Sequence, residues 1–173
     1  TVWTETYADG QTGYEILTER TVEQLKYIHA VYDLAKEKGY IQDATFTGMK
    51  RRMEQENMQR SEKTARGEAV YGLKEYTLDL YQEYELSMIE EAYILDETNE
   101  GMGLTEEEIE AYYNTRDWIV GEDARKADLS EARAAVIDEM RRNRYQELTE
   151  QKAAVAEVDG DMDQLSQFTL KQL

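Results

Sequence analysis

The chain has 173 residues, of which 38 are acidic and 20 are basic, and its formal net charge is -18. This length suits one domain with a sizeable core, or one domain with a helical appendage, and argues against two full domains. The charge disfavours binding to nucleic acids and to anionic lipid surfaces, because both repel a polyanion. The absence of cysteine excludes disulfides, thiolate nucleophiles and thiolate metal sites.

Proline is also absent, so the commonest helix breaker is missing. The 13 tyrosines and 7 methionines outnumber the 2 phenylalanines. Tyrosine and methionine suit surfaces that accept varied partners, and they equally suit plain helix interfaces, so composition leaves both roles open. The sequence starts at Thr1 without a methionine or the apolar core of a signal peptide, so we expect an excised segment, either a mature exported chain or a trimmed one.

The first half of the chain predicts an arm followed by two helices. Residues 1–20 read as a loose hairpin or extended arm, because Asp9-Gly10 and Thr12-Gly13 are turn signals. Apolar residues at helical spacing predict a helix over residues 21–39, with a glycine stop. A second, densely charged helix is predicted from Phe46 to about residues 64–67.

A third helix is predicted after Thr77, a good N-cap residue. It carries an apolar stripe formed by Tyr81, Tyr84, Met88, Ile89 and Leu95. Two glycines within residues 99–103 then indicate a break in the chain.

Two capping boxes mark the starts of the remaining helices. Thr105 with Glu108 predicts a short helix, and Asp128 with Glu131 predicts a long one that ends near Lys152. A strand is predicted over residues 153–158, and the tail that follows carries apolar side chains able to dock, namely Leu165, Phe168 and Leu170. The sequence therefore predicts a mostly α fold: several helices completed by a long C-terminal helix, with short strands near the termini.

We divide the chain into three parts on this basis. They are an arm or hairpin over residues 1–20, a helical domain over residues 21–158 and a C-terminal tail over residues 159–173. The arm and the tail are also candidates for exchange between two copies in a homodimer.

No catalytic residue is predicted. The single histidine, His29, lies beside an apolar stripe without a histidine partner, and no nucleophile elbow or phosphate loop occurs. The glutamates of residues 106–108 are explained by helix capping and by the helix dipole. We therefore expect neither a cofactor nor an active site.

No metal site is predicted either. Asp159, Asp161 and Asp163 alternate around Gly160, which hints at calcium, but an EF-hand loop needs a glutamate at its twelfth position and that residue is Leu170. A solvated turn explains these aspartates better.

Asn57 and Arg60 lie one turn apart on the second helix and continue its apolar stripe. Polar groups at such positions are partly buried and need partners. We interpret them as a structural lock between helices, with contact to a ligand or peptide as the alternative.

Six stretches of the chain follow one another in an order that is familiar from a known family. They are residues 25–39, Glu56-Asn57-x-x-Arg60, Gly67-Glu68-x-Val70-Tyr71-Gly72, residues 77–84, residues 104–113, and residues 129–158, which begin Leu129-Ser130-Glu131. This order resembles the chaperone domain of the SurA/PrsA-type extracytoplasmic foldases. In that family a parvulin-type peptidyl-prolyl isomerase domain leaves the helical core after the short helix, and a long helix then completes the core.

The resemblance implies a non-catalytic chaperone-like domain that binds unfolded or exported polypeptides. The chain between Tyr113 and Asp128 is far shorter than the ~50 residues of a small domain, so no isomerase active site is carried over. The resemblance also implies an extracytoplasmic location, which a lipid anchor at the cell surface would suit. We predict a client-contacting surface of large side chains: Tyr76, Tyr81, Tyr84, Met88, Tyr112, Tyr113 and Trp118.

Two other functions stay open at this point. The domain is alternatively a specific adaptor or assembly module that recognises one partner, or a residual peptidyl-prolyl isomerase. The number of proteins that it binds separates the first alternative from a general chaperone.

Overall fold

The structure, a computed structural model, describes residues 2–7, 10–120 and 125–172. The prediction of a mostly α fold is confirmed. The helices of the described residues are α1 Gly13–Glu37, α2 Phe46–Ala65, α3 Leu78–Leu95, α4 Glu106–Tyr113, α5 Leu129–Ala154 and α6 Met162–Gln172, after a short 3-10 helix at Val2–Thr4. Two short strands, β1 Ile119–Val120 and β2 Arg125–Lys126, pair antiparallel.

The long helix α5 is the centre of the fold. It packs against α1, α3 and α4, while α2 packs against α3 and α6 packs against α1. Three hydrophobic clusters result: one between α1, α2 and α3, one where α1, α3 and α5 meet around Met102, and one between α4, Trp118 and the first half of α5. Among the described residues, none of the helices combines the length and the apolar content that spanning a membrane requires.

The predicted start of the first helix at Thr21 is wrong, since α1 begins at Gly13. The Glu15 carboxylate accepts hydrogen bonds from the backbone N–H of Thr12 at 2.8 Å and from the Thr12 hydroxyl at 2.7 Å, so Thr12-Gly13 starts a helix rather than a turn. A side chain at position 13 would also crowd the Trp3 backbone, which lies 3.1 Å from where a Cβ would be. Thr6 forms an isolated antiparallel bridge with Thr12, and Asp9 of the predicted turn lies outside the described residues.

The predicted glycine stop at the end of α1 is confirmed. Gly39 has a positive φ of 76°. The N–H of Tyr40 bonds to the Ala35 carbonyl at 2.8 Å, and that of Gly39 to the Lys36 carbonyl at 3.0 Å, which is the Schellman arrangement. The turn ends α1 and leads the chain into α2, which packs against α3.

The strand predicted over residues 153–158 is wrong. Helix α5 continues to Ala154, and the residues after it are irregular. Alanines 153 and 154 are strong helix formers. The two strands of the described chain lie instead in the middle of the sequence, where the Ala127 N–H also bonds to the Trp118 carbonyl at 2.7 Å.

Both predicted capping boxes are present. At α4 the Glu108 N–H bonds to the Thr105 hydroxyl at 3.2 Å, and the Thr105 N–H bonds to the Glu108 carboxylate at 2.9 Å. At α5 the Glu131 N–H bonds to the Asp128 carboxylate at 3.0 Å. These bonds set the first turns of the two helices that form the third hydrophobic cluster.

We expect the stabilisation by Glu108 to depend on pH. The Thr105 N–H and the Arg144 guanidinium lower the pKa of the Glu108 carboxyl below its ordinary value of 4.5. A carboxyl with a lowered pKa stabilises the fold above its unfolded-state pKa, and the effect is lost as the pH falls through the folded-state pKa. The difference in melting temperature between wild type and Glu108→Gln should therefore be largest near neutral pH and vanish in acid.

Thermal unfolding followed by circular dichroism across the acidic range measures this difference. Glu107→Gln is the matched control, because it removes a neighbouring carboxylate that neither caps the helix nor contacts Arg144. A Glu108→Gln effect that does not change with pH would contradict the prediction.

Candidate functional site

The described residues bring together side chains suited to binding. Among them, no group of three or more histidine, cysteine, aspartate or glutamate residues is placed to hold a metal ion. His29 is exposed on α1, beside a groove of about 280 Å³ that is completed by residues 156–159 and Leu165. The aromatic side chains predicted to contact clients form two separate groups.

The first aromatic group contains Tyr76, Tyr81 and Tyr84. The rings of Tyr76 and Tyr84 are stacked with centroids 5.0 Å apart, and the Tyr81 ring lies edge-on to Tyr76 at 5.7 Å. Tyr81 is buried with 6 % exposure, whereas Tyr76 and Tyr84 are half-buried. The group therefore joins the core to the surface at the start of α3.

Asn57 and Arg60 hold Tyr76 in place. The Tyr76 N–H bonds to the Asn57 side-chain oxygen at 2.7 Å, and the Asn57 amide donates to the Tyr76 carbonyl at 2.9 Å. The Arg60 guanidinium lies 4.8 Å from the centroid of the Tyr76 ring. It also donates to the carbonyls of Tyr71 at 2.9 Å and Leu73 at 2.8 Å. These contacts fasten the irregular segment between α2 and α3.

A partly buried ion pair lies next to Tyr81. The Arg52 guanidinium donates two hydrogen bonds to the Glu85 carboxylate, at 2.6 and 2.8 Å, and the Tyr81 hydroxyl lies 3.2 Å from that carboxylate. Burial, and then the negative charge of Glu85, raise the pKa of Tyr81. The hydroxyl thus stays protonated and donates to Glu85. The ion pair between Arg52 of α2 and Glu85 of α3 links these two helices.

The apolar stripe predicted for α3 is divided between core and solvent. Tyr81 and Ile89 are buried, but Met88 is 52 % exposed and Leu95 is 66 % exposed. An apolar arc this wide exceeds what α1, α2 and α5 cover. Four residues of this arc form a face that we call the α3 outward face: Leu80, Tyr84, Met88 and Leu95. Leu80 was missing from the predicted stripe, although it lies one turn before Tyr84.

A groove of about 350 Å³ continues the α3 outward face at its C-terminal end. It lies between α3 and α5 and is lined by Ile94, Leu95, Glu97, Ala134, Ile137, Asp138 and Arg141. Leu95 belongs to both the face and the groove. An apolar surface thus extends from the start of α3 to α5.

The second aromatic group contains Tyr112, Tyr113 and Trp118, and it packs against α5. Trp118 is buried with 8 % exposure, and its indole N–H donates to the Tyr113 carbonyl at 3.1 Å. The Tyr112 hydroxyl donates to the Glu139 carboxylate at 2.8 Å, and the Tyr113 hydroxyl to the Ala127 carbonyl at 2.7 Å. The polar tips of this group are occupied by contacts within the domain.

Charge is distributed unevenly around these surfaces. Residues 75–115 contain 13 acidic residues and no lysine, arginine or histidine. Arginines of α5 pair with several of these acids: Arg133 with Glu106, Arg141 with Glu97, Arg142 with Glu90 and Arg144 with Glu108. On the exposed side of α3, Glu91 has only a longer contact of 4.0 Å with Arg142 of α5.

Comparison with known proteins gives one relative and one solved structure. No family model matches the chain. The relative, from Bifidobacterium longum subsp. longum, is named "Chaperone for lacto-N-biosidase", and it is 35% identical over 166 residues, which cover 95% of this chain and 59% of the relative. The chain thus spans 59% of the length of the curated relative that it matches.

The solved structure is the GH136 lacto-N-biosidase from Eubacterium ramulus, native protein. It superimposes with a TM-score of 0.62 over 84% of this chain and 29% of that chain, at 18% sequence identity. At this identity the likeness concerns the fold alone. The same helical fold therefore occurs within the chain of a lacto-N-biosidase.

These comparisons correct the resemblance to the SurA/PrsA-type foldases, which is wrong. The relative is named as a chaperone for a lacto-N-biosidase, and the structural neighbour is itself a lacto-N-biosidase. The stretches that suggested foldases are helix caps and helical stripes, and many helical proteins share them because they report local helix geometry. The isomerase alternative loses its basis, while the extracytoplasmic location stays a prediction.

We expect Asn57 to stabilise the domain through Tyr76, as the interpretation of a structural lock requires. Asn57→Ala leaves the N–H and carbonyl of Tyr76 without their partners, which should lower the free energy of unfolding by about 1–3 kcal/mol. Urea denaturation measures the loss, and amide hydrogen exchange at Tyr76 should accelerate. Asn114→Ala, at the exposed end of α4, is the control, and an equal effect of both substitutions would contradict the lock.

Proposed function

We propose that this chain is a dedicated chaperone or assembly partner of a lacto-N-biosidase-type glycoside hydrolase. The proposal rests on the similarity of this chain to two proteins. Its relative is named as a chaperone for lacto-N-biosidase, and its fold occurs within the chain of a lacto-N-biosidase. A domain found beside such an enzyme in one organism and inside one in another fits a unit that packs against the rest of the enzyme.

The surface of the domain supports a binding role. The α3 outward face exposes Met88 and Leu95 on a helix whose other side is fixed by the core. Exposed apolar patches of this kind mark interaction sites on soluble proteins. A rigid helix also loses little conformational entropy when it binds.

A specific partner suits these observations better than unfolded polypeptides in general. The relative's name specifies one enzyme. The contacts of Asn57 and Arg60 hold the segment beside the α3 outward face in one arrangement, which favours a fixed partner surface. A surface that accepts many clients relies instead on side chains and loops that repack.

Co-expression tests the proposal. The lacto-N-biosidase-type hydrolase of the same organism is produced with and without this chain, and the soluble hydrolase and its lacto-N-biosidase activity are measured. We expect the chain to raise the active hydrolase about tenfold or more, because a partner that binds only the folded enzyme stabilises it by mass action. The Bifidobacterium longum chaperone with its own lacto-N-biosidase is the positive control.

Unrelated proteins provide the specificity control. The purified chain should not slow the aggregation of several unrelated unfolded proteins at stoichiometric excess. Protection of these proteins without an effect on the hydrolase would favour a general chaperone, and no effect on the hydrolase would overturn the proposal.

A further inference from the structure

We propose that the α3 outward face is the surface on which the hydrolase docks, and that the matching surface of the hydrolase is apolar with lysine and arginine at its margin. This inference rests on the proposed function and adds the location and the chemistry of the contact. It is carried by the exposure, the shape and the charge of the face.

The face is long enough to receive a folded partner. Leu80 and Leu95 are 15 residues apart on one helix, and at 1.5 Å per residue this spans about 22 Å. Leu80, Met88 and Leu95 are all exposed, and Tyr84 is half-buried between them. Tyr84 also packs against the core cluster of α1, α2 and α3, whereas Leu80, Met88 and Leu95 stay exposed.

The groove at the end of the face provides a place for an inserted side chain. The groove of about 350 Å³ is lined by Ile94, Leu95 and Ile137 on its apolar side and by Glu97, Asp138 and Arg141 on its polar side. Arg141 pairs with Glu97 at 2.7 Å, and Arg142 pairs with Asp138 at 2.9 Å. Central anchors of protein interfaces fill pockets of this kind. Because these two acids are already paired, the groove suits an apolar side chain of the partner.

The margin of the face is acidic. Glu83 lies beside the stripe and Glu91 lies within it, one turn after Met88; both are exposed, and α3 itself carries no basic residue. The Arg142 guanidinium of α5 is 4.0 Å from Glu91 and binds Glu90 more closely, at 2.7 Å. Complementary charge at an interface margin raises the association rate and selects the partner, so a basic margin on the hydrolase fits best.

The same charge argues against a second copy as the occupant. Each copy has a net charge of -18, and the stretch from residue 75 to residue 115 contributes -13 of it, from 13 acidic and no basic residues. A symmetric dimer through this face would bring two acidic margins together. Like charges facing each other across an interface are unfavourable.

The test uses two double variants of the full chain, co-expressed with the lacto-N-biosidase-type hydrolase of the same organism. Met88→Gln with Leu95→Gln removes apolar contact, and its control is Met58→Gln with Val155→Gln, two apolar residues exposed elsewhere. Glutamine keeps helix propensity at the three positions within helices, and Val155 lies just after the end of α5. Because the altered side chains are largely exposed, all variants should melt close to the wild-type temperature.

The second variant reverses charge at the margin. Glu83→Lys with Glu91→Lys is compared with Glu23→Lys and Glu147→Lys, which make the same change in net charge on α1 and α5. The affinity-tagged chain is purified, and the co-purified hydrolase and its activity are measured. We expect both face variants to lose about tenfold or more of the co-purified hydrolase, and both controls to stay close to wild type, because few residues carry most interface energy.

The outcomes separate this inference from the proposed function. If wild type raises hydrolase activity and the face variants do so equally well, the docking surface is wrong and the function stands. If wild type has no effect, the function itself fails. Loss in the Gln variant alone overturns the basic margin. Two other results would overturn the hydrolase as occupant. The first is that the chain alone forms a dimer that the face variants turn into a monomer. The second is that wild type protects unrelated unfolded proteins and the face variants lose this protection.

Discussion

The packing of α5 against the acidic helices α3 and α4 is the constraint on which the rest of the structure depends. The 13 acidic residues of residues 75–115 would repel one another if the helices α3 and α4 packed without cations between them. Helix α5 provides these cations as Arg133, Arg141, Arg142 and Arg144. Single exposed ion pairs contribute ~0–1 kcal/mol each, so the effect comes from the set rather than from any one pair.

The arginines of α5 also fix irregular backbone. Arg141 donates to the Met102 carbonyl at 3.0 Å, and Arg144 donates to the Gly101 carbonyl at 2.9 Å. Met102, fully buried, is thereby held in the cluster with Tyr93 and Tyr145. The glycine break between α3 and α4 is therefore part of the core, and α4 is placed where Trp118 and Tyr113 pack against α5.

The arginines of α5 contact acids on one side of α3 more closely than on the other, and this explains the composition of the α3 outward face. One side of α3 is neutralised by α5, and another is joined to α2 by the partly buried Arg52 and Glu85 pair. The remaining side combines exposed apolar residues with exposed acids, of which Glu91 has a longer contact of 4.0 Å with Arg142. The exposed apolar residues of this face gain free energy when a partner covers them, which links the internal charge pattern of the fold to its proposed role in assembling an enzyme.

The amino-acid sequence by itself determined the helical class, the glycine stop at Gly39, the glycine break within residues 99–103 and the two capping boxes, because these depend on contacts within a few residues. The start of α1 at Gly13 is equally local, since Thr12 and Glu15 form a capping box, and it was missed because Thr12-Gly13 was interpreted as a turn. The family resemblance drawn from local helix signals was wrong for a related reason: such signals report local geometry and not ancestry.

Only the tertiary structure decided which part of the α3 stripe is a surface. Tyr81, Met88 and Leu95 share one apolar arc in sequence, yet only Tyr81 is covered by neighbouring helices. The separation of the predicted aromatic residues into an α3 group and a group against α5 was likewise not visible in their spacing. Burial is a property of the neighbours that a helix face meets, and those neighbours are set by α5 and its arginines through contacts distant in sequence.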